Sequence, residues 1–251
     1  MKAIIEWGTK KYQVELNQPI DISIPMCSGS ENPNAFHIPH PVFEPIQVGD
    51  FIGSVKMGSG ANCENLHINA HGNGTHTECI GHITAERISI NQCLTQFYAW
   101  AQLISLEPTQ QQNGDWMLTL GMLPKILNPK VNAVIIRTLP NDATKLKKVY
   151  SGNNPCYLAP ELTAYLAQNN IMHLLVDLPS VDREEDKGEM LAHKAFWCYP
   201  ETPRMNATIS EMIYVPDAVA DGFYLLNLQI ASLETDASPG KPVLYKLKDT
   251  I

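Results

Sequence analysis

Ala133-Val134-Ile135-Ile136 and Leu174-Leu175-Val176 are continuous apolar runs, the pattern of strands covered on both faces. Between them, Pro160-Glu161-Leu162-Thr163-Ala164-Tyr165-Leu166-Ala167 reads as a helix with proline in its first turn, and Asn169-Asn170 ends it. Strand, helix, strand over 133–178 makes a right-handed crossover unit if the two strands are parallel. Around this unit, Ala3 to Trp7, Tyr12 to Leu16, Ile20 to Ile24, His173 to Leu178 and Tyr224 to Ile230 also read as strands. Prolines and glycines are spread throughout, so many short elements joined by turns are expected. No internal repeat and no linker-like shift in composition divides the chain. The expectation is one β-rich α/β domain over residues 1–251.

The composition, 44% hydrophobic and 18% charged, excludes wholesale disorder. Eighteen basic against twenty-six acidic residues give a formal charge of −8. With no Lys/Arg block, the chain is not expected to grip nucleic acid. No apolar run approaches the ~20 residues of a membrane span. Glu6 stands where a signal peptide needs its apolar core, so the expected location is the cytoplasm. The six cysteines form no C-x-x-C pair, which fits free thiols in a reducing compartment.

Four of the eight histidines fall between positions 67 and 82, in His67-Ile68-Asn69-Ala70-His71-Gly72-Asn73-Gly74-Thr75-His76-Thr77-Glu78-Cys79-Ile80-Gly81-His82. Gly72-Asn73-Gly74 breaks any helix. An extended chain after that turn projects His76 and Glu78 from one face, because strand side chains alternate. An imidazole and a carboxylate converging there form a half-site for a divalent metal. His82 is another even step along, and Gly81 would let the chain bend to bring it back.

Gly74-Thr75-His76-Thr77-Glu78-Cys79-Ile80-Gly81-His82 resembles the H-x-G-T-H-x-D-x-P-x-H signature of the metal-dependent hydrolases that include bacterial kynurenine formamidase and isatin hydrolase, the cyclase family. Asp21-Ile22-Ser23 is similar to the family's early strand, and Asp177-Leu178-Pro179-Ser180-Val181-Asp182 to its mid-chain segment. His193 with Thr208-Ile209-Ser210-Glu211 resembles the later His and Glu. Asp236-Ala237-Ser238-Pro239-Gly240-Lys241 resembles the closing motif, with lysine in place of arginine. The resemblance implies a swivelling β/β/α fold with a central barrel-like mixed sheet flanked by helices. It implies that His76, Glu78, His193 and Glu211 bind metal and that His82 is the acid/base.

The family's first histidine belongs at position 72, which is glycine here. His71 joins the metal ligands if a one-residue bulge displaces it. Glu78 replaces the usual Asp. Cys79 stands where alanine is usual, and its thiol could also ligate zinc. The expected cofactor is a divalent ion, zinc first and manganese second, as one or two ions. Such an ion would lower the pKa of a bound water from about 15.7 towards ~7.

The resemblance implies a small-molecule substrate, a homodimer or higher homo-oligomer, and no membrane partner. The expected activity is an arylformamidase-like amide hydrolysis, of N-formylkynurenine to kynurenine and formate. Two alternatives stay open: hydrolysis of a cyclic amide or lactone, and a non-catalytic ligand-binding relative. His37 and His40 lie in a proline-rich loop that the resemblance places near the substrate, or in an ordinary surface loop. His173 reads as a packed strand residue. His67 is ambiguous. Thr75 is a candidate for orienting the turn. Phe196-Trp197 and Trp100 are read as core, and 183–187 as a solvated loop.

Overall fold

The computed structural model describes residues 1–123 and 127–249. Among these, the largest sheet has nine strands. In chain order they are β1 (Ile20–Asp21), β2 (His76–Glu78), β3 (Tyr98–Leu106), β4 (Ala133–Thr138), β5 (His173–Val176), β6 (Thr208–Glu211), β7 (Gly222–Asn227), β8 (Ala237–Pro239) and β9 (Val243–Lys246). Their order across the sheet is β8-β2-β6-β5-β4-β3-β7-β9-β1. The four central strands, β3 to β6, run parallel, and the strands added on either side pair antiparallel. The sheet is curled into a half-barrel, so the expected α/β class with a barrel-like mixed sheet is what the chain adopts.

The two apolar runs are β4 and β5, in parallel register Ala133↔His173 to Ile136↔Val176. Alternation sends their side chains to both faces. Val134, Ile136, Leu174 and Val176 pack with Leu162 and Leu166 of one helix (Pro160–Gln168) and Phe196 and Trp197 of another (Leu191–Trp197). Ala133, Ile135 and Leu175 face a second core with Ile90, Cys93, Ile213 and Val215. Each fully buried Ile, Leu or Val contributes about 1.5–3 kcal/mol. The two longer helices therefore sit on one face, rather than flanking the sheet on both. A one-turn helix, Ile90–Cys93, serves the other face.

Three strands of the nine-stranded sheet stop short of their sequence expectation, and outside it the strand expected over Tyr12 to Leu16 ends at Glu15. β1 ends at Asp21, whose Oδ1 accepts the Ser23 N–H (2.9 Å) and whose Oδ2 meets Lys241 Nζ (2.6 Å). The early and closing motifs thus meet through that pair. β5 ends at Val176 because Asp177 turns away to Lys145 Nζ (2.8 Å) and the Thr138 N–H. β7 covers Gly222–Asn227 rather than running to Ile230. The 183–187 segment is not wholly solvated, since Arg183 Nε lies 2.8 Å from the buried Asp115 carboxylate. Trp197 and Phe196 are buried as expected, and Trp100 stacks on Trp7 at 4.7 Å. No helix among the described residues is long and apolar enough to cross a membrane. All six cysteines are free.

Candidate metal centre

β2 is three residues long and lies between β6 and β8. His76 stands directly across from Glu211, and Glu78 directly across from Ile209 and Ala237. Directly opposed residues on one face have Cβ atoms about 4.5–5.5 Å apart, so the register alone brings His76 and Glu211 together. His76 Nε2 lies 3.4 Å from Glu211 Oε2. Glu211 is held from its other oxygen, where Oε1 accepts the Val181 N–H at 2.8 Å.

His193 comes from the Leu191–Trp197 helix. Its Nε2 is 2.9 Å from Glu78 Oε1, and its Nδ1 is 2.6 Å from Asp182 Oδ2. Asp182 also accepts the Ala192 and His193 N–H groups, which lack partners in a helix's first turn. His82 returns to the cluster through a 3-10 turn, Ile80–Ile83, with Nε2 3.9 Å from Glu78 Oε2. Gly81 serves this turn differently from the expected flexible bend: a Cβ there would come within 2.1 Å of the Ile88 carbonyl oxygen.

His71 joins the cluster despite its early position. A turn over 70–72, closed by Asn73 N–H to Asn69 O and Asn69 N–H to Asn73 Oδ1, swings it inward. His71 Nδ1 lies 3.2 Å from Glu78 Oε2, and its Nε2 lies 2.9 Å from Asp236 Oδ2. The displacement expected as a bulge is a turn. Thr75 does orient this segment: its hydroxyl donates to the Met212 carbonyl and accepts the Ile24 N–H.

All six expected site residues, His71, His76, Glu78, His82, His193 and Glu211, therefore converge. Three overlapping trios place ligand atoms within 4.8 Å of one another: His71/His82/Asp236, His71/His76/Glu78 and Glu78/His82/His193. Asp182 and Asp236 are carboxylates that the motif carry-over did not place at the site. The signal for them was present, since both open or close segments quoted for the resemblance.

Cys79 does not join. It alternates with Glu78 and faces the second core, where its Sγ lies 3.6 Å from the Ile88 carbonyl. The neighbouring Cys93 and burial both push this thiol up, away from the thiolate that zinc needs. His173 is buried with Nδ1 2.9 Å from Thr208 Oγ1, as a packed histidine. His67 is exposed on a hairpin, 3.3 Å from Glu44. The His37 backbone N–H is bonded to Ser151 Oγ, and neither His37 nor His40 belongs to the cluster.

Two buried atoms carry the metal argument: His76 Nε2 and Glu78 Oε2 have no hydrogen-bond partner. His76 Nδ1 donates to the Gly74 carbonyl at 2.9 Å, which leaves the lone pair on Nε2. Ionic neighbours stand near both, His71 Nδ1 3.2 Å from Glu78 Oε2 and Glu211 Oε2 3.4 Å from His76 Nε2, but a buried carboxylate oxygen and imidazole lone pair that make no hydrogen bond are costly. A cation between them satisfies both, and nitrogen plus carboxylate donors suit zinc or manganese. The electrostatics agree. Burial would raise the Glu78 carboxyl, but His82 and His193 hold it well below the usual range. Burial would lower His193, yet Glu78 and Asp182 raise it to about 10. His71 is likewise raised against burial to about 10 by Asp236 and Glu78. The bonds from His71 and His82 hold Asp236 far below the carboxylate range. Positive charge is thus strongly favoured at this point of the fold.

The family model described as "Putative cyclase" matches residues 14–183, more than half of the chain. The chain belongs to the cyclase family. Solved structures share the fold over nearly their whole length. One is a potential metal-dependent hydrolase with cyclase activity, 18% identical, with a TM-score of 0.64 over 91% of this chain and 98% of that one. Another is isatin hydrolase A from Labrenzia aggregata, bound to benzyl benzoate, 12% identical, with a TM-score of 0.63 over 92% and 94%. Isatin hydrolase A from Ralstonia solanacearum is 14% identical, with a TM-score of 0.62 over 91% of each chain. The family match ends before His193, Glu211 and Asp236, and the fold itself delivers those three to the motif.

Proposed function

We propose that this cyclase-family chain is a metal-dependent hydrolase that cleaves an amide C–N bond, with an aryl formamide such as N-formylkynurenine as its first candidate substrate. The observation that carries this is the pair of unpartnered buried atoms, His76 Nε2 and Glu78 Oε2, within a ring of histidines and carboxylates. His71, His76, Glu78, His193 and Glu211 would hold a divalent ion, zinc or manganese, which would supply Lewis acidity and lower the pKa of a water there.

The chain's own residues divide the remaining work. Glu78 and Glu211 supply the negative charge that retains a cation. Asp182 fixes the ring of His193 through Nδ1. His82 sits at the rim with a 27% exposed side chain, reached by both solvent and the cluster, where it can accept and return a proton. General acid–base transfer of this kind is worth about 10² to 10⁴ in rate.

A panel of metal-loaded assays tests the reading. Formate release from N-formylkynurenine supports the formamidase. Ring opening of isatin or a lactone without formate release supports the cyclic-substrate alternative, which the isatin hydrolase neighbours favour. Turnover of none of them, with metal bound, leaves the non-catalytic relative.

The expected homodimer also has a surface that favours it. A hairpin arm pairing Val42–Pro45 with Glu64–His67 exposes Val42, Val48, Phe51, Val55, Met57 and Leu66 along residues 42–66. Exposed apolar side chains gathered on one arm support association through it. Sedimentation showing a monomer at micromolar concentration would contradict a homodimer.

A further inference from the structure

His71 and His82 stand as a stacked pair, ring centroids 4.3 Å apart and planes 29° from parallel. Each ring spans the same two carboxylates. The inner nitrogens, His71 Nδ1 and His82 Nε2, approach Glu78 Oε2 at 3.2 and 3.9 Å. The outer nitrogens, His71 Nε2 and His82 Nδ1, both reach one atom, Asp236 Oδ2, at 2.9 and 3.2 Å. The two rings use opposite nitrogens for the same job, because they enter from opposite ends of the motif.

We propose that Asp236 is a shared positioning residue, a single carboxylate that holds the outer N–H of both His71 and His82 and so turns the inner nitrogen of each ring, His71 as a metal ligand and His82 as the acid/base, to the side of the cluster where Glu78 lies. The inference rests on the metal-dependent reading above and adds a residue to it. An ionised carboxylate only accepts hydrogen bonds, so both outer nitrogens must donate. The tautomer of each ring is thereby set by one group. Carboxylates that orient ligand histidines typically change metal affinity 10- to 100-fold.

Asp236 is placed for this by the sheet. It immediately precedes β8, whose Ala237 pairs with Glu78, and its own carbonyl accepts the Cys79 N–H at 3.0 Å. Its carboxylate is 38% exposed, at the open side of the cluster. The backbone position is therefore fixed independently of the side chain, so a substitution here leaves β8 in register.

The test uses the whole chain and Zn²⁺ alone. Zn²⁺ affinity is measured by chelator competition for the wild type and Asp236→Ala. Nitrogen-15 NMR of the Zn²⁺-loaded proteins follows the ring N–H of His71 Nε2 and His82 Nδ1. The expected result is affinity weakened about 10- to 100-fold, with both slowly exchanging ring N–H signals lost together. A purely structural role would not move two ring tautomers selectively. Unchanged affinity, or loss of only one ring signal, overturns the shared role. A wild type that binds no Zn²⁺ overturns the metal-dependent reading and this inference with it, whereas tight binding by both proteins overturns this inference alone. If Asp236→Ala does not fold, Asp236→Asn, equal in shape but uncharged, is read by the affinity measurement with the same expected weakening.

Discussion

Gly72 lies so close to Ile38 that a Cβ on it would come within 2.6 Å of the Ile38 Cδ1 atom. The Ala35 carbonyl oxygen would stand 3.1 Å away on the same side. The loop before it, tied down by Ala35 N–H to Gly72 O and by Asn73 Nδ2 to Pro39 O, fills the space a side chain would need. A side chain at 72 would therefore press on the Ile38 side chain and the Ala35 carbonyl, and His71 supplies the imidazole from one residue earlier.

Restoring the family spacing is expected to fail. Gly72→His should lower stability by about 1–3 kcal/mol, the usual cost of overpacking, without tightening metal binding. Urea unfolding and Zn²⁺ competition measure the two effects. Tighter binding at undiminished stability would mean that the 35–39 loop yields.

Cys79→Ala is expected to leave metal per chain unchanged, because the thiol faces the second core. Its cost should be about 1 kcal/mol of stability from lost packing. Elemental analysis decides it, and a loss of metal would place the thiol in the coordination shell.

His82→Asn is expected to keep the metal and lose about 10² to 10⁴ in kcat, the range of a lost proton transfer. Asparagine can still hydrogen-bond Asp236 but cannot exchange a proton. Normal turnover would remove His82 from the proton path, and a metal-free variant would make it a ligand.

His173 offers a pH test remote from the cluster. Burial, reinforced by the Arg204 charge, lowers it to about 4 from its ordinary 6.5. Between those values the unfolded chain binds the proton and the folded chain does not, so stability rises with pH through that window. The contribution is full above pH 6.5 and is lost as pH falls towards about 4, a change of roughly 3 kcal/mol. Unfolding in chelator at pH 7 and pH 4.5, compared with His173→Gln, isolates it. The variant should show the smaller fall, and an equal fall would contradict the assignment.

The sequence was most legible where burial is two-sided. The runs at 133–136 and 174–176 and the Pro160 helix needed no long-range knowledge, and their parallel pairing followed. The short edge of the sheet was not legible. β2 and β8 are three residues each, and β2 consists of His76, Thr77 and Glu78, so no apolar pattern marks it. Its place beside β6 depends on partners more than 130 residues away.

Alternation did contain the answer for Cys79, which must face opposite to Glu78. For Gly81 and Gly72 the governing fact is a close neighbour, Ile88 or Ile38, that no local spacing reveals. Asp236 and His71 are 165 residues apart, and only the β8–β2 pairing brings them together.

The central claim is that Glu78 and its histidines hold a divalent cation, and metal per chain after equilibration at low free Zn²⁺ tests it most directly. Wild type and Glu78→Gln differ there by one charge and almost no volume. The expected result is stoichiometric metal on the wild type and, for Glu78→Gln, an affinity weaker by more than about a hundredfold, beyond what losing an outer orienting group costs. Equal metal on both proteins, or none on the wild type, would contradict it.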